Sequence, residues 1–258
     1  MTLLVNIIAV CTCILWLSVP AILNIICYPF SKKACVKISD YIVNVCAPRL
    51  FAILKKYRNF NFWGYNETKK DLPENFIVIS NHQSLLDIPI YMTFFPEYDV
   101  RFVAKDALAR HIPLVSEMLR SHDHCMIPRK GGAAKAMKTI EDFGKRVVER
   151  NQIPVLFPEG TRSKDGTLGT FYSAGFRKLV ETTKLPIVVC ALDNGYKIND
   201  LKHVFENLSK INYKCKVLKV YPYPETKEEQ VRVLEEAKEL VQKQLDEWRE
   251  EDKLLASK

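Results

Sequence analysis

The chain opens on an apolar stretch: residues 3–27 carry no charged side chain. A helix needs about 20 such residues to cross a bilayer, so the run is long enough to span. A secretory leader fits poorly, because no basic residue precedes the run, the run is too long, and no small-residue cleavage site follows it. A buried helix of a soluble protein fits poorly too, since few are apolar on every face. Lys32, Lys33 and Lys37 come next, which by the positive-inside rule places the remaining chain on the cytoplasmic face of a membrane. Pro20 and Asn24 interrupt a straight span. A second stretch, 38–54, is broken by Asp40, Pro48 and Arg49 and runs into Lys55, Lys56 and Arg58. It predicts an interfacial helix with a basic edge against anionic headgroups. Spanning the bilayer and insertion into one leaflet both fit this pattern.

After a linker at 66–74 the pattern changes to short apolar runs alternating with helical periodicity. Strands are expected at 76–80, 100–104, 125–127, 153–157, 186–192 and 213–220. Helices are expected at 85–95 (interrupted early by Pro89), around 114–119, at 133–150 and at 175–183. Strands alternating with helices predict an α/β fold: a mixed, largely parallel sheet flanked by helices, preceded by N-terminal membrane-associated helices. A charged helix over 227–253 carries an apolar stripe at Val231, Leu234, Val241, Leu245 and Trp248, which should pack on its own domain. The expected division is 1–60 for membrane anchoring and 61–258 for a catalytic domain with its C-terminal helix.

The formal net charge of +8 suits an anionic partner: a lipid surface, a phosphorylated substrate or nucleic acid. No aromatic–basic interleaving or known module supports nucleic acid. The eight cysteines form no C-x-x-C pair and several sit in apolar runs, so free thiols in a reducing compartment are expected. His122, His124 and Cys125 lack a fourth ligand at a sensible spacing, so no metal is expected there.

In parallel sheets ligands bind beyond the carboxyl ends of the strands. Those ends carry Asn81 and His82, Lys105, Arg129, and the loop 158–162. The first reads Asn81-His82-Gln83-Ser84-Leu85-Leu86-Asp87. A histidine acts as a general base when a carboxylate on Nδ1 fixes its tautomer, and an offset of five across a strand-to-helix turn can supply one. Alone the spacing also fits a helix-start histidine and a first-turn carboxylate favoured by the helix dipole. The second loop reads Phe157-Pro158-Glu159-Gly160-Thr161-Arg162-Ser163, where Gly160 permits close backbone approach and Arg162 offers a planar fork for a phosphate. Lys105 and Arg129 leave two other strands, so three cations on one sheet edge would form a phosphate site.

N-H-Q-S-L-L-D and F-P-E-G-T-R-S, in this order, resemble the first and third motifs of the 1-acylglycerol-3-phosphate acyltransferase family. I-P-R at 127–129 resembles the second and L-P-I-V-V at 185–189 the fourth, so the likeness covers 76–192. The resemblance implies that His82 takes the proton of a lysophospholipid hydroxyl as it attacks an acyl thioester, with Asp87 orienting His82. It implies that Arg162 binds the acceptor phosphate, helped by Lys105 and Arg129, and that Glu159, Gly160 and Thr161 shape the acceptor pocket. The co-substrate would be acyl-CoA or acyl-carrier protein, with no other cofactor and no metal, and membrane lipid would be the partner rather than nucleic acid. No G-x-S-x-G elbow is present for a covalent acyl-enzyme. Two positions depart from the family pattern: Tyr172 and Ser173 follow Phe171 where many members carry a basic residue, and Val189-Cys190 replaces a second proline. The first leaves room for another lysophospholipid or a lyso-aminolipid as acceptor. A thioesterase and a non-catalytic lipid-binding protein are the remaining alternatives.

Overall fold

The computed structural model describes residues 2–58, 61–63, 72–106, 115–128, 130–199, 203, 207 and 211–257. Helix α1 (Thr2–Cys27) is continuous through Pro20 and, at about 1.5 Å per residue, roughly 39 Å long. Its buried stripe is unlike that of a soluble helix: Asn6, Ala9, Val10, Cys13, Ala21 and Asn24 turn inward, while Ile8, Leu15, Val19, Ile22 and Ile26 are exposed. Small and amide side chains inside with large aliphatics outside is the arrangement of a helix whose outer solvent is hydrocarbon. Asn24 Nδ2 donates to Ser39 Oγ at 3.0 Å, and Ser39 Oγ lies 3.2 Å from Ser121 Oγ.

The expected interfacial stretch is more than that. Helix α2 (Lys32–Tyr41) begins at the lysines, with Ser31 as its N-cap, and passes through a π segment (Ile42–Cys46) into α3 (Ala47–Arg58). Pro48 has no N–H to donate back into the preceding turn, and the irregular turn falls where that bond is missing. Phe51 is 5% exposed and joins the core with Val10 and Cys13 of α1. The N-terminal helices therefore pack on the sheet as well as presenting an apolar exterior.

Among the described residues, seven strands form one sheet in the order β1-β7-β6-β2-β5-β3-β4. They are β1 (Asn61–Trp63), β2 (Ile77–Ser80), β3 (Val100–Lys105), β4 (Cys125–Ile127), β5 (Ile153–Leu156), β6 (Ile187–Asp193) and β7 (Asn212–Tyr221). All neighbours are parallel except β6 and β7. The expected largely parallel α/β sheet is present, and β1, an edge strand of three residues, is an addition to it.

Both faces of β2 are covered, so its residues read as one apolar run rather than an alternation. Phe76 and Val78 pack towards α4 (Asp87–Phe94) and the N-terminal helices. Ile77 and Ile79 pack towards α6 (Gly132–Glu149), α7 (Ser173–Thr183) and the C-terminal helix α8 (Lys227–Ala256). The short helix α5 (Val115–Ser121) meets α2 at the Ser39–Ser121 contact. Helix α8 starts with a capping box: Thr226 Oγ1 accepts the Glu229 N–H at 3.1 Å, and Glu229 Oε2 accepts the Thr226 N–H at 3.1 Å. Its buried stripe runs through Val233, Leu234, Ala237, Val241, Leu245 and Trp248, whereas Val231, expected inside, is 37% exposed. At 3.6 residues per turn Val233 and Ala237 share the inner face with Val241, and Val231 lies off it.

Candidate active site

Where β2 and β6 stop pairing, at Ser80 and Cys190, the side chain of Asn81 continues the ladder. Its Nδ2 donates to the Leu192 carbonyl at 2.7 Å and its Oδ1 accepts the Leu192 N–H at 2.8 Å. The chain then turns over 82–87 around a single carboxylate. Asp87 Oδ2 meets His82 Nδ1 at 2.6 Å and accepts the N–H groups of Gln83 at 2.7 Å and Ser84 at 3.0 Å. The offset of five is therefore that of a turn closed by its own last side chain. Tyr213 Oη donates to the other oxygen, Oδ1. Asp87 is fully buried, and every other group on it is a donor. The carboxylate is thus ionised and His82 Nδ1 carries its proton, which leaves Nε2 with a free lone pair (a tautomer assigned from the network).

Gln83 fastens the turn to β6. Its Nε2 donates to Asp193 Oδ1 at 3.1 Å, and its Oε1 accepts the Gly195 N–H at 3.0 Å. Asp193, fully buried, is in turn paired with Arg249 of α8 at 3.3 Å. The His82 ring stacks on Phe157, centroids 4.1 Å apart and planes 11° from parallel, so one face of the imidazole is fixed.

Glu159 ties the second motif to the first. Its Oε1 accepts the His82 N–H at 2.7 Å, its Oε2 accepts the Gly169 N–H at 2.8 Å, and the Ser163 N–H donates to the His82 carbonyl at 2.8 Å. Burial raises the Glu159 carboxyl above the ordinary range, and the two backbone donors pull it part of the way back. Gly160 has φ +63°, a left-handed turn closed by its N–H on the Phe157 carbonyl at 3.0 Å.

A cavity of about 430 Å³ lies against this edge. His82, Lys105, Gly160, Thr161 and Arg162 line it together, and Phe102, Ile127, Ile140, Leu156 and Phe176 make its apolar part. Lys105 and Arg162 have no carboxylate partner among the described residues, so two cations share an apolar slot with His82. Of the residues expected from sequence, His82, Asp87, Lys105, Glu159, Gly160, Thr161 and Arg162 gather here, Asp87 and Glu159 behind the lining residues. Arg129 lies outside the described residues. Glu159, expected to shape the acceptor pocket, has both oxygens committed to backbone N–H groups. Tyr213, Gln83 and Asp193 were not expected; the signal was a polar side chain within or closing a buried strand for Tyr213 and Asp193, and a place inside the first motif for Gln83.

The histidines at 122 and 124 lie elsewhere. His124 Nδ1 accepts the Phe102 N–H at 2.9 Å, and His122 Nε2 lies 3.3 Å from Asp40 of α2. Among the described residues no group of three or more His, Cys, Asp or Glu side chains could hold a metal.

Residues 65–193, half of the chain, match the family model described as Acyltransferase. The chain belongs to the Acyltransferase family. It is 36% identical over 116 residues to the 1-acyl-sn-glycerol-3-phosphate acyltransferase of Cocos nucifera, covering 45% of this chain and 36% of that protein. It is 32% identical over 128 residues to the protein of that name from Helicobacter pylori, covering 49% and 52%. With the human 1-acyl-sn-glycerol-3-phosphate acyltransferase beta the figures are 31% over 112 residues, covering 43% and 39%. The matched part thus spans between a third and about half of the length of these relatives. The crystal structure of PlsC, the 1-acyl-sn-glycerophosphate acyltransferase of Thermotoga maritima, superposes with a TM-score of 0.67 over 96% of this chain and 98% of that one. At 19% identity this likeness establishes the acyltransferase fold over nearly the whole chain.

Proposed function

We propose that the chain transfers a fatty acyl group from acyl-CoA or acyl-carrier protein to the sn-2 hydroxyl of lysophosphatidic acid, giving phosphatidic acid. The observation that carries this reading is one cavity holding His82, tied to Asp87 at 2.6 Å, together with Lys105 and Arg162, cations without a carboxylate partner among the described residues. His82 Nε2 takes the proton of the acceptor hydroxyl as its oxygen bonds to the thioester carbonyl carbon. Asp87 stabilises the imidazolium that forms. The tetrahedral intermediate collapses by breaking the C–S bond, and the imidazolium returns the proton to the departing thiolate. Arg162 and Lys105 neutralise the acceptor phosphate, and the apolar part of the slot takes an acyl chain.

The outward aliphatic face of α1 supports attachment to a membrane, with the domain on the cytoplasmic side as the lysines after α1 suggest. Tyr172, 64% exposed on the rim of the same cavity, supports a second reading with a different lysophospholipid or a lyso-aminolipid as acceptor, because it adds no cation. Purified protein supplied with acyl-CoA and a panel of lysolipids distinguishes the two. Phosphatidic acid from lysophosphatidic acid is expected. Refusal of that acceptor with turnover of another lysolipid would transfer the proposal to the second reading.

A further inference from the structure

Asp87 holds the base, and the contact on its far side comes from a strand 126 residues away. Three donors crowd Oδ2, while Oδ1 receives the hydroxyl of Tyr213. We propose that Tyr213 is a positioning residue for the His82–Asp87 pair, its hydroxyl fixing how much of the Asp87 charge faces the imidazole. The proposal rests on the reading of His82 as the proton acceptor.

Several observations carry it. Tyr213 and Asp87 are both fully buried, so water does not replace one for the other. The approach is also built for. A Cβ on Gly195 would run into Tyr213 Oη, so the hydroxyl reaches the carboxylate only past a residue with no side chain. Gly195 is itself held there by its N–H on Gln83 Oε1 at 3.0 Å, and Gln83 belongs to the turn that carries the pair. Burial first, and the Asp87 charge second, push the Tyr213 hydroxyl well above its ordinary range. It therefore stays a neutral donor and does not compete as an anion.

The physical consequence has a sign. A donor on Oδ1 draws charge away from Oδ2, so it weakens the hold of the carboxylate on a protonated imidazole. Without it His82 keeps a proton to higher pH, and the pair loses a fixed angle. Tyr213→Phe should lower kcat about tenfold, the scale of one hydrogen bond to a charged group. KM for the lysolipid should be unchanged, because Tyr213 does not line the cavity. The acid limb of the pH–rate profile should move up by about half a pH unit or more.

The test pairs that profile with NMR observation of His82 in the full-length protein in detergent, following the pH at which its ring takes up a proton. Both should move up together in folded Tyr213→Phe. Gly195→Ala, which displaces the hydroxyl without removing it, should shift both in the same direction. A folded Tyr213→Phe with both profiles in place overturns the proposal, since a purely packing role would lower kcat through folded fraction alone. If that variant does not fold, 3-fluorotyrosine at position 213 supplies a stronger donor of nearly the same size. It should move both downward, and no movement overturns the proposal equally. A wild-type protein that makes no phosphatidic acid, but whose His82 titration responds to Tyr213→Phe, counts against the proposed substrate and leaves the positioning role standing.

Discussion

Glu159 Oε1 accepts the backbone N–H of His82 at 2.7 Å, so the loop after β5 grips this histidine by its own main chain. The second oxygen of the same carboxylate takes the Gly169 N–H at 2.8 Å. Two acceptors on one rigid group thus set the separation between three stretches of chain, of which the His82 turn and the loop after β5 line the cavity.

Glu159→Gln keeps the size of the side chain but offers only one acceptor oxygen. One backbone N–H would then face an amide N–H. The expected result is a fall in kcat/KM of roughly ten- to a hundredfold, the scale of one or two misplaced hydrogen bonds. Thermal stability should change little, because removal of a buried charge offsets the lost bond. Steady-state kinetics beside a thermal melt will check both halves; full activity in the variant would show that the clamp does not position the base.

His82→Ala should reduce acyl transfer by about two to four orders of magnitude, the usual contribution of general base catalysis. The fold should survive, because Asp87 Oδ2 keeps the Gln83 and Ser84 N–H groups when the ring is removed. Asp87→Asn should be similarly inactive but less stable, because Oδ2 now serves three donors in a fully buried turn. Single-turnover transfer with circular dichroism separates loss of chemistry from loss of folding. Wild-type turnover by His82→Ala would remove the mechanism.

Arg162→Ala should raise KM for lysophosphatidic acid by about ten- to a hundredfold, the scale of losing one charge-assisted contact. The kcat should stay within a few-fold, and Lys105→Ala should act in the same direction. Arg162→Lys should restore only part, because an ammonium cannot make the forked contact. The informative comparison uses monoacylglycerol, which has no phosphate. If the penalty persists with that acceptor, Arg162 is not serving the phosphate.

Burial lowers His124 well below its ordinary 6.5, and burial lowers His122 as well. The unfolded chain then binds these protons more readily than the folded one. The stability tied to neutral His122 and His124 is complete above about pH 6.5 and is lost as pH falls through the lower folded values. Melting temperature should therefore decline on acidification below pH 6.5. His124→Asn, whose amide oxygen can still accept the Phe102 N–H, should flatten that decline. A melt series between pH 5 and 8 reads it directly, and identical slopes for both proteins would exclude His124 as a cause.

The central strands were legible because both faces of β2, β5 and β6 are covered, which writes them as largely apolar runs such as Phe76-Ile77-Val78-Ile79. The motif loops were legible because each leaves such a run at its carboxyl end. The direction of β7 was not, since a strand antiparallel to β6 has the same composition as a parallel one. Nor was the tie from Tyr213 to Asp87, because pairing across 126 residues leaves no local periodicity. The inward face of α1 was hidden for a different reason. Its buried residues are mostly small or amide, so hydrophobic periodicity does not mark the face that turns inward, where Asn24 is buried and Ile22 exposed.

The place of β7 as the last strand along the chain has a consequence for how the protein is made. His82 and Asp87 leave the ribosome long before Tyr213, and Arg249, which pairs with Asp193 beside them, follows later still. Until then the nascent chain holds a carboxylate with one side of its donor shell missing and β6 paired with β2 on one edge only. Completion of the donor shell around Asp87 is therefore a late event of synthesis, reached well after the apolar helix α1 has left the ribosome.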